Sequence, residues 1–79
     1  MRDIPEVYTV SGTYNVGGLR GHTCSVSLWT RYERHDAVVR EARSHFPWMT
    51  VKSVVKFTGT TYGGIPLRDL REAMAKHLL

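Results

Sequence analysis

His22 and Cys24 bring together the side chains of a zinc site or of an activated thiol. Two positions apart on a strand, they point the same way, as a pair of metal ligands would. A zinc site needs a second pair at matched spacing, and His35, His45 and His77 supply none. A thiol nucleophile must be exposed with a base in reach. Cys24 instead falls on the apolar face of its strand, where it acts as a small hydrophobe. The carboxylates Glu6, Glu33, Asp36, Glu41, Asp69 and Glu72 are scattered, mostly beside Arg40, Arg43, Arg68 and Arg71. They read as solvated surface with weak ion pairs. Gly17, Gly18, Arg20 and Gly21 contain the raw material of a phosphate cradle, but Gly-Gly-Leu-Arg-Gly matches neither the P-loop nor the dinucleotide fingerprint. It precedes a strand, so it reads as a flexible hairpin loop with Arg20 at its tip. No catalytic residue, metal or cofactor is expected, and the chain does not read as an enzyme.

What remains is binding. Thr23–Tyr32 alternates, with Cys24, Val26, Leu28 and Tyr32 on one face and Ser25, Ser27, Trp29 and Arg31 on the other. An indole beside a guanidinium on the wet face suggests a contact surface. With Lys52 and Lys56 it forms a predicted platform, an aromatic framed by cations. Such a ring can anchor a protein interface, or stack on a base for about 1–3 kcal/mol. The opposing reading has the last helix fold across this face and makes Trp29 core. Arg40 and Arg43, one helical turn apart, read either as an ordinary wet helix face or as two cations within reach of a common anion. Tyr62 is expected to stand exposed on a glycine-rich loop.

These side chains need elements to hold them. Glu6–Tyr14 alternates as a first strand, with Tyr8, Val10 and Tyr14 on one face, and Gly12 marks a bulge or a close approach. The connection 15–22 joins it to the Thr23–Tyr32 strand as a hairpin. From Asp36 to Phe46 the period changes. Val38, Val39, Ala42 and Phe46 fit a helical stripe, Asp36 suits the N-cap or first turn, and Pro47 stops the helix. Thr50–Phe57 alternates again, with Val51, Val55 and Phe57 predicted on one face and Lys52, Val54 and Lys56 on the other. The stretch 58–65 reads as a loop. Pro66 suits the first turn of a helix carrying Leu67, Leu70, Met74 and Leu78 to the end of the chain.

The order is ββαβα, an α+β fold with a three-stranded sheet and two helices. If both helices cover one face, the open face carries Thr9, Thr13, Ser25, Ser27, Trp29, Arg31, Lys52, Val54 and Lys56. Seventy-nine residues suit one small domain, and 42% hydrophobic content with several aromatics suits a packed core. Eleven Lys and Arg against seven Asp and Glu give +4, which favours an anionic partner. A single cysteine allows no internal disulfide and fits a reducing, intracellular setting, the cytoplasm. No signal-peptide core or membrane-spanning run is expected.

In size, charge and layout the chain resembles the small inhibitor proteins of bacteriophages and mobile elements, anti-CRISPR proteins among them. The resemblance covers length and general arrangement and rests on no motif, so no family residues are carried over. It implies a single domain without activity of its own, which binds a host protein complex such as a CRISPR effector in the cytoplasm of the host cell and blocks its access to DNA; a monomer or a homodimer is expected. Two rival readings accompany it. One is a nucleic-acid-binding domain with an open basic sheet face, although RNA-recognition folds place rings on adjacent strands and here the wet face offers only Trp29. The other is a basic structural component of a larger ribonucleoprotein assembly.

Overall fold

The computed structural model describes residues 1–77. Its elements run β1 (Glu6–Tyr14), a 3-10 turn (Gly17–Leu19), β2 (Thr23–Thr30), α1 (His35–His45), β3 (Met49–Lys56), β4 (Thr61–Tyr62), β5 (Ile65–Pro66) and α2 (Leu67–His77). The fold is α+β. The main sheet has the order β2-β1-β3 and both pairings are antiparallel. β1, first in the chain, is therefore the central strand. β3 runs in the direction of β2, as a crossover helix requires, but its neighbour is β1. No helix of the described residues is long and apolar enough to cross a membrane.

α1 packs on one face of this sheet. Tyr8, Val10, Leu28, Val38, Ala42, Met49 and Val54 form the buried cluster, flanked by Cys24, Val26, Val39, Phe46, Trp48 and Val51. The even-numbered faces of β1 and β2 thus meet the helix, as their alternation dictates. β2 ends sooner than the pattern suggests. Thr30 Oγ1 accepts the Tyr32 amide at 3.2 Å, which turns the chain, and Tyr32 is exposed instead of joining the core. Asp36 stands in the first turn of α1 and Arg34 at its cap; Asp36 pairs with Arg34 at 3.3 Å and Arg40 at 3.8 Å.

The phase of β3 departs from simple alternation. Ser11 pairs with Ser53 and Gly12 with Val51, so Lys52 is an extra residue that the partner strand does not match. A bulge inverts which side chains face the core beyond it. Met49 and Val51 face α1 before it, and Val54 and Lys56 face α1 after it. Val55 and Phe57 fall on the opposite face. The expected split, Val51 with Val55 and Phe57 against Lys52 with Val54 and Lys56, is corrected accordingly. Gly12 is the reason the bulge fits, because β3 backbone lies where its β-carbon would be.

The helices do not share a face. Val7, only 1% exposed, points away from α1, and the end of the sheet around it is closed by α2 and a small hairpin. Arg71 of α2 donates to Glu6 Oε2 at 2.8 and 3.1 Å, and Arg31 donates to the Ala75 carbonyl at 2.8 Å. The hairpin is β4–β5, within the stretch read as a loop. Gly63 and Gly64, with φ of +61° and +83°, make its two-residue turn. Pro66 ends β5 and lies just outside α2, which begins at Leu67. Leu67 is buried, while Leu78 of the predicted stripe lies outside the described residues.

Candidate functional site

The predicted platform is split by the fold. Trp29 pairs in register with Val7 and is half-buried at the end of the sheet that α2 closes. Arg31 is engaged there, donating to the Asp3 carbonyl at 3.1 Å as well as to Ala75. Lys56 emerges on the α1 face, and Lys52 stands at the bulge on the β3 edge. One surface carrying Trp29, Arg31, Lys52 and Lys56 is therefore ruled out by the bulge, since alternation alone had placed them together. The open face also differs from expectation. Val54 is buried beneath α1, and the open half of the other face carries Ser11, Thr13, Thr23, Ser25, Thr50 and Ser53, with Ser11 and Ser25 hydroxyls 3.4 Å apart.

Arg40 and Arg43 also part company. Arg40 borders a depression with Tyr32, Ala37, Glu41 and Ser44 and pairs with Asp36. Arg43 turns into a groove of about 430 Å³ between α1 and β3, lined by His35, Val39, Arg43, Val51, Lys52, Ser53 and Val54. Tyr62 is 36% exposed but not a free ring. It shares a hydrogen bond with Ser27 and meets Phe57 edge-on, with centroids 5.4 Å apart. Arg20 is exposed at the tip of the β1–β2 connection, where Gly17 and Gly21 hold positive φ.

The α1–β3 groove is where sequence and geometry converge on a binding site. His35, Val39 and Arg43 recur every fourth residue, which lines them along one side of α1. Across from them the bulge lifts Lys52 out of the β3 ladder. The valines make an apolar floor and the polar groups a cationic rim. Among the described residues no carboxylate lines the groove, and neither Arg43 nor Lys52 has a salt-bridge partner. Arg34 and Arg40 pair with Asp36 and Arg71 with Glu6, while among the described residues Arg20, Lys56, Arg68 and Lys76 also lack an ion pair, so what sets Arg43 and Lys52 apart is that they border one groove. Two uncompensated cations bordering one groove favour an anion there.

Sequence reasoning selected Arg43 and Lys52 but assigned them to different surfaces, and it passed over His35. The four-residue spacing of His35, Val39 and Arg43 was the available signal. It also passed over Trp48, which stacks on Tyr14 at 5.5 Å and meets Phe46 edge-on at 5.9 Å, closing the core beside the groove. Among the described residues no three His, Cys, Asp or Glu side chains gather as a metal site would need. The chain matches no family model, no curated protein and no solved structure.

Proposed function

We propose that this chain is a small non-enzymatic binding protein that docks its α1–β3 groove on an acidic patch of a partner protein. In the fuller form of the reading it is a phage-type inhibitor. It occupies a host defence complex, of the CRISPR effector kind, beside the path of the nucleic acid and so blocks access. The observation that carries docking is the pairing of Arg43 and Lys52 over a valine floor, both without a carboxylate of their own. An acidic side chain entering the groove gains charge-assisted hydrogen bonds at its rim while apolar contacts exclude water below. His35, which also lines the groove, adds a ring N–H donor.

Direct binding of nucleic acid through the sheet has weaker support. Stacking needs rings on an accessible face. The open half of the sheet presents serine and threonine, and the rings on that face, Trp29, Phe57 and Tyr62, are half-buried or engaged with neighbours.

The test is a pull-down from host lysate with and without nuclease, comparing the wild type with the double variant Arg43→Glu, Lys52→Glu. The expected result is one stoichiometric protein complex that survives nuclease and is lost with the double variant. Added wild-type protein should also prevent that complex from binding its nucleic acid. Capture of nucleic acid alone, released by nuclease, overturns the reading. So does a protein catch that the double variant retains in full.

A further inference from the structure

The two edges of the sheet are built differently. β3 is interrupted by the Lys52 bulge and carries two exposed lysines, Lys52 and Lys56. Bulges and edge lysines stop further strands from adding. β2 has none of these devices. Its eight residues, Thr-Cys-Ser-Val-Ser-Leu-Trp-Thr, include no charge, proline or glycine, and its register with β1 is unbroken from Glu6–Thr30 to Thr13–Thr23.

The hydrogen-bond phase shows which groups are free. The Tyr14 amide donates to the His22 carbonyl at 2.9 Å, so the pairs through Cys24, Val26, Leu28 and Thr30 turn their backbone groups toward β1. Thr23, Ser25, Ser27 and Trp29 turn theirs outward. Among the described residues no backbone hydrogen bond reaches those four from outside the sheet. The Arg2 amide caps the edge only beyond the strand, at the Arg31 carbonyl, 2.8 Å away.

We propose that β2 is the self-association surface of this protein, pairing antiparallel with β2 of a second copy across a two-fold axis near Val26. The composition of the strand argues for this occupant. Each copy carries +4, which opposes association elsewhere on the surface, but β2 carries none of that charge, so two copies paired through it set no like charges face to face along the strand. The pairing is self-complementary. With the axis at Val26, Ser25 faces Ser27 of the second copy and Thr23 faces its Trp29, giving about eight N–H···O bonds. On the α1 side the half-buried Val26 meets its own counterpart. Assembly stops at two, because the six-stranded sheet then ends in a bulged, lysine-bearing β3 on both sides. Both α1–β3 grooves remain open at those outer edges, so this inference stands apart from the groove's own role. A contact of one strand pair is small beside the roughly 1,600 Å² of a standard interface, so the dimer is sought up to high micromolar protein.

The experiment is sedimentation equilibrium from low to high micromolar protein, on the wild type, Ser25→Pro and Ser25→Lys, with circular dichroism on each. Proline at position 25 removes an outward N–H that β1 does not use, and an edge strand tolerates it. The wild type should rise from the 9.0 kDa chain mass to twice that value. Ser25→Pro should remain monomeric with the wild-type spectrum. Ser25→Lys, which cannot fail for lack of an N–H, should dimerise several-fold more weakly and recover in high salt. A wild type that stays monomeric throughout overturns the proposal. So does a folded Ser25→Pro, or a Ser25→Lys, that dimerises as well as the wild type.

Discussion

Gly12 and Thr50 approach so closely that a β-carbon on Gly12 would lie 1.9 Å from the Thr50 carbonyl oxygen and 3.2 Å from the Lys52 amide nitrogen. The obstacle is backbone, so no side chain can swing aside. Gly12→Ala must push β3 away from β1 at the bulge. The expected loss is about 3 kcal/mol, read as a fall in the urea midpoint. Gly18→Ala is the control. Nothing lies within 4 Å of its β-carbon position, and the change there should stay below about 0.5 kcal/mol.

Glu6 and Arg71 tie α2 to the central strand through two bonds to one carboxylate oxygen, at 2.8 and 3.1 Å. Both side chains are shielded, at 31% and 15% relative exposure for Arg71 and Glu6. A double-mutant cycle with Glu6→Gln and Arg71→Met should give a coupling of about 1–2 kcal/mol, above that of an exposed pair. A coupling near zero would mean that α2 is held by its apolar contacts alone.

Trp29 separates the two roles that its sequence neighbourhood suggests. Half-buried beside Val7, it contributes to packing at the α2 end of the sheet. Trp29→Ala should lower stability by about 2 kcal/mol in a chemical melt. At a temperature where the variant remains folded, its partner capture through the groove should equal the wild type. Loss of capture by the folded variant would return Trp29 to the binding surface.

Gly63 and Gly64 hold φ of +61° and +83°, a region that costs a side chain about 1–2 kcal/mol. Gly63→Ala and Gly64→Ala should loosen the β4–β5 hairpin without melting the sheet. Amide exchange should accelerate around Tyr62 and Ile65, while Val10 and Val54 in the α1 core keep wild-type protection.

The cores of the elements were legible where a single period ran unbroken. Tyr8 and Val10, Leu28, Val38 and Ala42 announce their faces by spacing, and all are buried against one another. The reading failed at Lys52, because a bulge is set by the partner strand: Gly12, some forty positions earlier, leaves the space for it. That slip moved Val54 into the core, turned Lys56 toward α1 and dissolved the predicted platform. Tyr32 looked apolar by alternation, but Thr30 Oγ1 had already turned the chain. The groove was half visible. Arg43 and Lys52 were selected by charge, whereas their meeting depends on how α1 lies along β3, which no local pattern encodes. Gly63-Gly64 is a strong hairpin signal in a stretch too short to show alternation.

The central position of β1 has a consequence for how the chain acquires its structure. During synthesis β1 and β2 emerge before the other elements of this fold, and together they make only a lone hairpin, which is marginal in water. The apolar row of Tyr8, Val10, Val26 and Leu28 stays uncovered until α1 follows, and one side of β1 stays unpaired until Lys56 has left the ribosome. The link from Glu6 to Arg71 must wait for Arg71 to emerge, 65 positions later. Folding dominated by such distant pairings is slow. The nascent hairpin is thus the form of this protein most exposed to chaperones and to sticking, and β2, its least guarded strand, is on display throughout.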